Sequence, residues 1–97
     1  MIRDAHIDDL PGLVKLVMGY RDFHGVKNQS ADEVKQFLIS RMENNQSKIF
    51  VATNDSDKII GYIQLYLSYS TLSLKPQWVL NDFFIDADYR KKVTAEL

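Results

Sequence analysis

Asp82 stands inside the apolar run Trp78-Val79-Leu80-Asn81-Asp82-Phe83-Phe84-Ile85, and a carboxylate in such a place has two uses. If one strand face carries it between Leu80 and Phe84, burial disfavours its charged form and raises its proton affinity, which suits a general base. The same aspartate can instead accept hydrogen bonds from a neighbouring loop or side chain, and the residues alone leave both roles open. Tyr62, Tyr66 and Tyr69 can line a pocket or donate protons, but tyrosine on a strand also serves packing alone.

Other chemistries find little support. His6 and His24 are far apart and have no second ligand at metal-site spacing, so a surface or helix-end role is expected and a metal site is not. No serine sits in a Gly-x-Ser-x-Gly elbow. Gly12, Gly19, Gly25 and Gly61 do not follow a strand and open a helix, so no dinucleotide or Walker loop is present. The chain has no cysteine, which removes thiolate catalysis and disulfides and makes the cytoplasm the expected setting. Twelve basic and thirteen acidic side chains leave a formal charge of −1, so no basic field gathers nucleic acid, and aromatic strand residues are not interleaved with basic ones as an RNA-binding α+β module would require. Neither a signal peptide nor an apolar run near ~20 residues is seen, so no membrane span is expected.

The elements that must position these residues follow from pattern. With 97 residues, 45% hydrophobic and 26% charged, the composition is that of one globular domain, residues 1–97. Leu10, Leu13, Val14, Val17 and Tyr20 recur at helical spacing between Asp8 and His24. Asp8 or Asp9 is expected to cap that helix, Pro11 to lie in its first turn and Gly25 to end it. Ser30-Ala31-Asp32-Glu33 reads as a capping box opening a second helix that stops at Asn44-Asn45. Ile49 to Ala52, the turn cluster Asn54 to Lys58 and a strand from Ile59 to about Tyr69 make a hairpin. Strict alternation puts Ile60, Tyr62, Gln64, Tyr66 and Ser68 on one face and the greasier set Ile59, Gly61, Ile63, Leu65 and Leu67 on the other. The run from Trp78 to Ile85, apolar on both faces, reads as a strand covered on both sides, and Ile2 to Ala5 as a further short strand.

The segment from Val79 to Lys92 resembles the fourth strand and following turn of the GNAT-type N-acetyltransferase superfamily, and the element order agrees from Ile2 onward. Gln64-Leu65-Tyr66 followed by Leu80-Asn81-Asp82 is similar to members acting on small amines. The resemblance implies an α+β fold: a short N-terminal strand, two helices, then an antiparallel three-stranded sheet. It covers nearly the whole chain but only about the first two-thirds of a family domain, so the chain is expected to be the front part of an enzyme, lacking the later helix with the family's tyrosine acid.

That resemblance implies acetyl transfer from acetyl-coenzyme A to a primary amine, with Asp82 as base and Tyr66 and Asn81 on the acceptor side. Backbone groups of Phe83 and Ile85 would hold the acetyl and pantetheine arm. Arg90, Lys91, Lys92 and Ala95 would meet the pyrophosphate in the turn Arg90-Lys91-Lys92-Val93-Thr94-Ala95. Val93 stands where the family has its first glycine, and a β-branched residue suits neither positive φ nor close phosphate approach. The chain alone is therefore expected to be a weak or inactive enzyme, the alternative being a non-catalytic remnant that self-associates through its last strand into a homodimer or larger oligomer. Isothermal titration with acetyl-coenzyme A should give weak binding or none, tightened by Val93→Gly if the turn is the limit. A sub-micromolar dissociation constant for the unaltered chain would overturn this expectation.

Overall fold

The computed structural model describes residues 1–90 of the chain. β1 (Ile2–Asp4), β2 (Ser47–Thr53), β3 (Ile59–Ser70) and β4 (Lys75–Ile85) lie side by side in chain order, every neighbouring pair antiparallel. The short N-terminal strand therefore joins the expected three as a fourth, with Ile2 opposite Ala52 and Asp4 opposite Phe50. Between β1 and β2 the chain forms α1 (Leu10–Phe23) and α2 (Ala31–Glu43), preceded by a 3-10 turn at Ile7–Asp9, and a second such turn, Ala87–Tyr89, follows β4. No described helix is long and apolar enough to cross a membrane.

The start of α1 departs from expectation, because neither Asp8 nor Asp9 caps it through its side chain. Capping falls on the preceding 3-10 turn, where His6 Nδ1 accepts from the Asp8 amide at 3.2 Å and the Asp9 carboxylate accepts from the His6 amide at 2.6 Å. Asp9 also takes both terminal nitrogens of Arg3, at 2.8 and 2.9 Å, tying β1 to the entry of the helix. The other helix ends follow their local signals. Gly25, at φ 85°, lets the Val26 amide reach back to the Arg21 carbonyl at 2.9 Å. Ser30 Oγ accepts from the Glu33 amide at 3.2 Å, and α2 stops at Asn44 with Asn45 in the left-handed region. In the β2–β3 turn, Asn54 Oδ1 accepts from the amides of Ser56 and Lys58.

Both helices pack on one face of the sheet. Leu10, Leu13 and Leu16 of α1 and Val34 and Leu38 of α2 close over Ile49 and Val51 of β2 and Tyr62 of β3, with Leu13 and Val51 wholly out of solvent. The covered face of β3 is thus the more polar one, carrying buried Tyr62 and Gln64, while the greasier row with Ile63 and Leu65 lies on the opposite side. That face still offers the helices aromatic surface, because buried Tyr62 meets Tyr20 of α1 edge-on.

Two irregularities break the alternation that the residues suggest. Ala52 lies opposite Gly61 but Thr53 opposite Ile59, so Ile60 is the extra residue. Ile59 packs with the helices, whereas Ile60 joins Ile85 on the other face. The second is in β4: Gln64 faces Asp82 and Leu65 faces Leu80, which leaves Asn81 unpaired in a bulge. Asp82 and Phe84 therefore point under the helices while Leu80 points the other way, and the expected common face of Leu80, Asp82 and Phe84 does not form. The expectation that β4 is covered on both faces also fails. Among the described residues it is an edge strand, with Trp78, Val79, Leu80 and Phe83 all exposed.

The paired Arg3 guanidinium holds the Asp9 carboxyl below its ordinary value despite the opposing effect of burial. A carboxylate with a lowered folded value adds stability that is complete above its unfolded pKa of about 3.9 and is lost as pH falls through the folded one. Asp9→Asn should therefore lower the thermal midpoint at pH 7 and leave a smaller fall between about pH 4 and pH 2 than the unaltered chain shows. Equal acid slopes for the two proteins would assign the acid sensitivity elsewhere.

Candidate functional site

The bulge at Asn81 sets the site, because it turns Asp82 toward the helices beside Gln64. Asp82 Oδ2 accepts from the Tyr66 hydroxyl at 3.1 Å, and Oδ1 accepts from Asn81 Nδ2 at 3.1 Å. Tyr66, Asn81 and Asp82, expected on the acceptor side, are thus brought together. Gln64, 2% exposed, is anchored by its Nε2 donating to Ser47 Oγ at 3.2 Å. Tyr69, 74% exposed near the far end of the β3–β4 hairpin, takes no part.

A cavity of about 370 Å³ opens between the helix pair and these strands, lined by Val17, Tyr20 and Arg21 of α1, Glu33, Val34, Phe37 and Leu38 of α2, Tyr62, Gln64 and Tyr66 of β3, and Asp82 of β4. Burial, followed by the nearby negative charge of Asp82, pushes the phenol pKa values of Tyr20, Tyr62 and Tyr66 upward. At neutral pH all three hydroxyls therefore keep their protons, and that of Tyr66 donates to the Asp82 carboxylate. Tyr20 is held edge-on by Tyr62 and Phe84, at ring separations of 6.2 and 5.9 Å, so its place at the cavity wall is a packing consequence.

The other side of the site is the edge of β4 that pairs with no other strand among the described residues. The Asp86 amide donates to the Ile60 carbonyl at 2.7 Å, so by the alternation of an antiparallel ladder the main chain of Phe83 and Ile85 faces away from β3. Arg90 Nε reaches back to the Ile85 carbonyl at 3.1 Å, and its guanidinium lies 5.5 Å from the Phe84 ring and 5.7 Å from that of Phe23. Tyr20, Phe84, Phe83, Ile85 and Arg90 share a smaller hollow of about 260 Å³ at this edge, and Tyr20 lines both it and the larger cavity. Lys91, Lys92 and Ala95, expected at a pyrophosphate, lie outside the described residues, as does Val93.

Sequence reasoning missed Tyr20, Arg21, Glu33 and Phe37 as lining residues. Their helical spacing marks Tyr20 and Phe37 as inward-facing, but the same spacing describes a residue that fills the core and one that borders a cavity. Only the gap between α1, α2 and the sheet tells them apart.

No family model matches the chain. The chain is similar to the uncharacterized N-acetyltransferase YhfO of Bacillus subtilis, 34% identical over 93 residues that make up 94% of this chain and 60% of that one. Among solved structures, a probable acetyltransferase superposes with a TM-score of 0.87 at 34% identity, over 99% of this chain and 64% of that chain. A predicted acetyltransferase with acetyl-CoA from Clostridium acetobutylicum superposes with a TM-score of 0.76 over 99% of this chain and 66% of that one, and at 16% identity it shares the fold alone. The chain spans about 60% of the length of the curated relative and just under two thirds of the more similar structure.

Proposed function

We propose that this chain, which belongs to the GNAT-type N-acetyltransferase superfamily, takes part in moving an acetyl group from acetyl-coenzyme A to the primary amine of a small molecule. The observation that carries the reading is the Asp82 carboxylate, held by Tyr66 and Asn81 at the wall of a cavity, one residue along the strand from the outward-facing main chain of Phe83. An ammonium group docks on that carboxylate within reach of the protonated phenols, and Asp82 removes one proton, directly or through water, to free the nitrogen lone pair. Acetyl-coenzyme A, when bound, supplies the thioester: the N–C bond forms as the C–S bond breaks, and the remaining ammonium proton passes to the departing thiolate. The free edge of β4 fits an extended acyl-pantetheine arm, because the amides of Phe83 and Ile85 are not used by β3 and can donate to it and to the developing oxyanion. Arg90 lies toward the phosphate end of that path, and Lys91, Lys92 and Ala95, outside the described residues, are proposed as pyrophosphate contacts on the family resemblance alone. A cysteine-free chain suits a cytoplasmic setting.

Asp82→Asn keeps shape and most hydrogen-bonding capacity while removing the base. It should lower the rate of coenzyme A thiol release with a primary amine by on the order of a hundredfold, with little change in thermal midpoint. Tyr66→Phe, which removes a donor to Asp82 and no base, should cost less. Parallel loss of fold and activity in Asp82→Asn would make Asp82 a structural acceptor.

A second reading is a non-catalytic chain that self-associates, and the uncovered sheet face favours it. Trp78, Leu80 and Phe83 are 39 to 56% exposed beside the open edge of β4, where unpaired main-chain groups are a template for another strand. Sedimentation equilibrium at micromolar concentration should then show a dimer or larger species, and a single monomeric species with cooperative unfolding would remove this reading.

A further inference from the structure

We infer that the amine accepted in the cavity is a small monocation with an aromatic or branched aliphatic body, and that polyhydroxylated amines such as amino sugars are excluded. The inference deepens the acetyl-acceptor reading and rests on it, since it assigns the same cavity its class of ligand.

The argument is one of where the polar atoms are spent. The Tyr66 hydroxyl, a natural partner for a sugar hydroxyl, is committed to Asp82, and the Tyr20 phenol is close enough to feel the same carboxylate. Gln64 donates its amide to Ser47. Arg21 and Glu33 also line the cavity, Arg21 donating to Gln29 Oε1 at 3.4 Å and Glu33 lying exposed in the first turn of α2, and the other lining residues, Val17, Val34, Phe37 and Leu38, are aliphatic or aromatic. A polyol held at Asp82 would set hydroxyls against the aliphatic and aromatic part of this wall, at a cost for each one buried without a partner, whereas a phenyl or branched alkyl group would be favoured there by leaving water. The cation is recognised by the Asp82 carboxylate. The cavity, at about 370 Å³, lies near the small end of the usual ligand-pocket range of ~300–1,000 Å³.

Isothermal titration of the 97-residue chain at pH 7, with no acetyl-coenzyme A present, compares 2-phenylethylamine, 2-phenylethanol and glucosamine. Phenylethylamine should bind at least about tenfold more tightly than either of the others, a difference of ~1.4 kcal/mol. Asp82→Asn should erase most of its advantage over the alcohol while circular dichroism shows the fold intact. If that variant does not fold, the amine-to-alcohol ratio in the unaltered chain carries the charge argument. Glucosamine binding as tightly as phenylethylamine, an alcohol binding as tightly as the amine, or no phenylethylamine binding at millimolar concentration would each overturn the inference. Acetyl transfer to the two amines is measured separately. Transfer to glucosamine without phenylethylamine binding defeats the ligand class and leaves the acetyltransferase reading standing, whereas selective phenylethylamine binding with no transfer to either amine does the reverse.

Discussion

One unpaired residue, Asn81, decides what β4 presents to each side of the sheet. Side chains alternate with a period of two along a strand, so an extra residue moves everything beyond it to the opposite face. With the bulge in place, Asp82 and Phe84 turn toward the helices and Leu80 toward the far face. Without it, and with the pairing of Leu80 with Leu65 kept, Asp82 and Phe84 would both turn to the far face, away from Tyr66 and α1. The charged group and its aromatic surroundings therefore depend on one local departure from regular pairing.

Aromatic packing carries that arrangement into the rest of the molecule. Phe84 lies so close to α1 that a Cβ added at Gly19 would meet the ring at 3.3 Å, and the absence of a side chain there lets helix and ring approach. Tyr20, next along the helix, meets Phe84 and Tyr62 edge-on, and through them its hydroxyl is set beside Asp82. Arg90 then covers Phe84 from the other side while bonding the Ile85 carbonyl. The cavity and the hollow at the strand edge thus share Tyr20, which Phe84 holds in place from the edge side.

The two faces of the sheet are in different energetic states. The helix-covered face holds the buried core, while the opposite face keeps Phe50 and Ile63 half-buried and Phe83 and Leu80 exposed. Large apolar side chains left in water forgo roughly 1.5–3 kcal/mol each, a sizeable share of the ~5–15 kcal/mol that stabilises a domain. Only one corner, where Tyr89 packs with Ile60 and Ile85, is covered by a described turn.

The residues by themselves determined what depends on short-range chemistry. The periodicity of Leu10, Leu13 and Val17, the Ser30 cap, the Gly25 stop and the Asn54 turn act within a few positions, and each is found where its local signal places it. Asp82 stood out because a carboxylate in an apolar run is costly unless partnered, whereas Tyr66 and Asn81 joined it only through the family resemblance. Tertiary structure alone decided which face of β3 the helices cover, since both faces carry enough apolar surface to be buried. It also decided that Asp9 would serve Arg3 and the 3-10 turn rather than α1, because the guanidinium arrives from a strand that the cap pattern does not mention. Most of all it decided the cavity. A bulge leaves no mark in side-chain type, and its effect on Asp82 exists only once β4 is laid against β3 and Tyr20 is brought across from the helix.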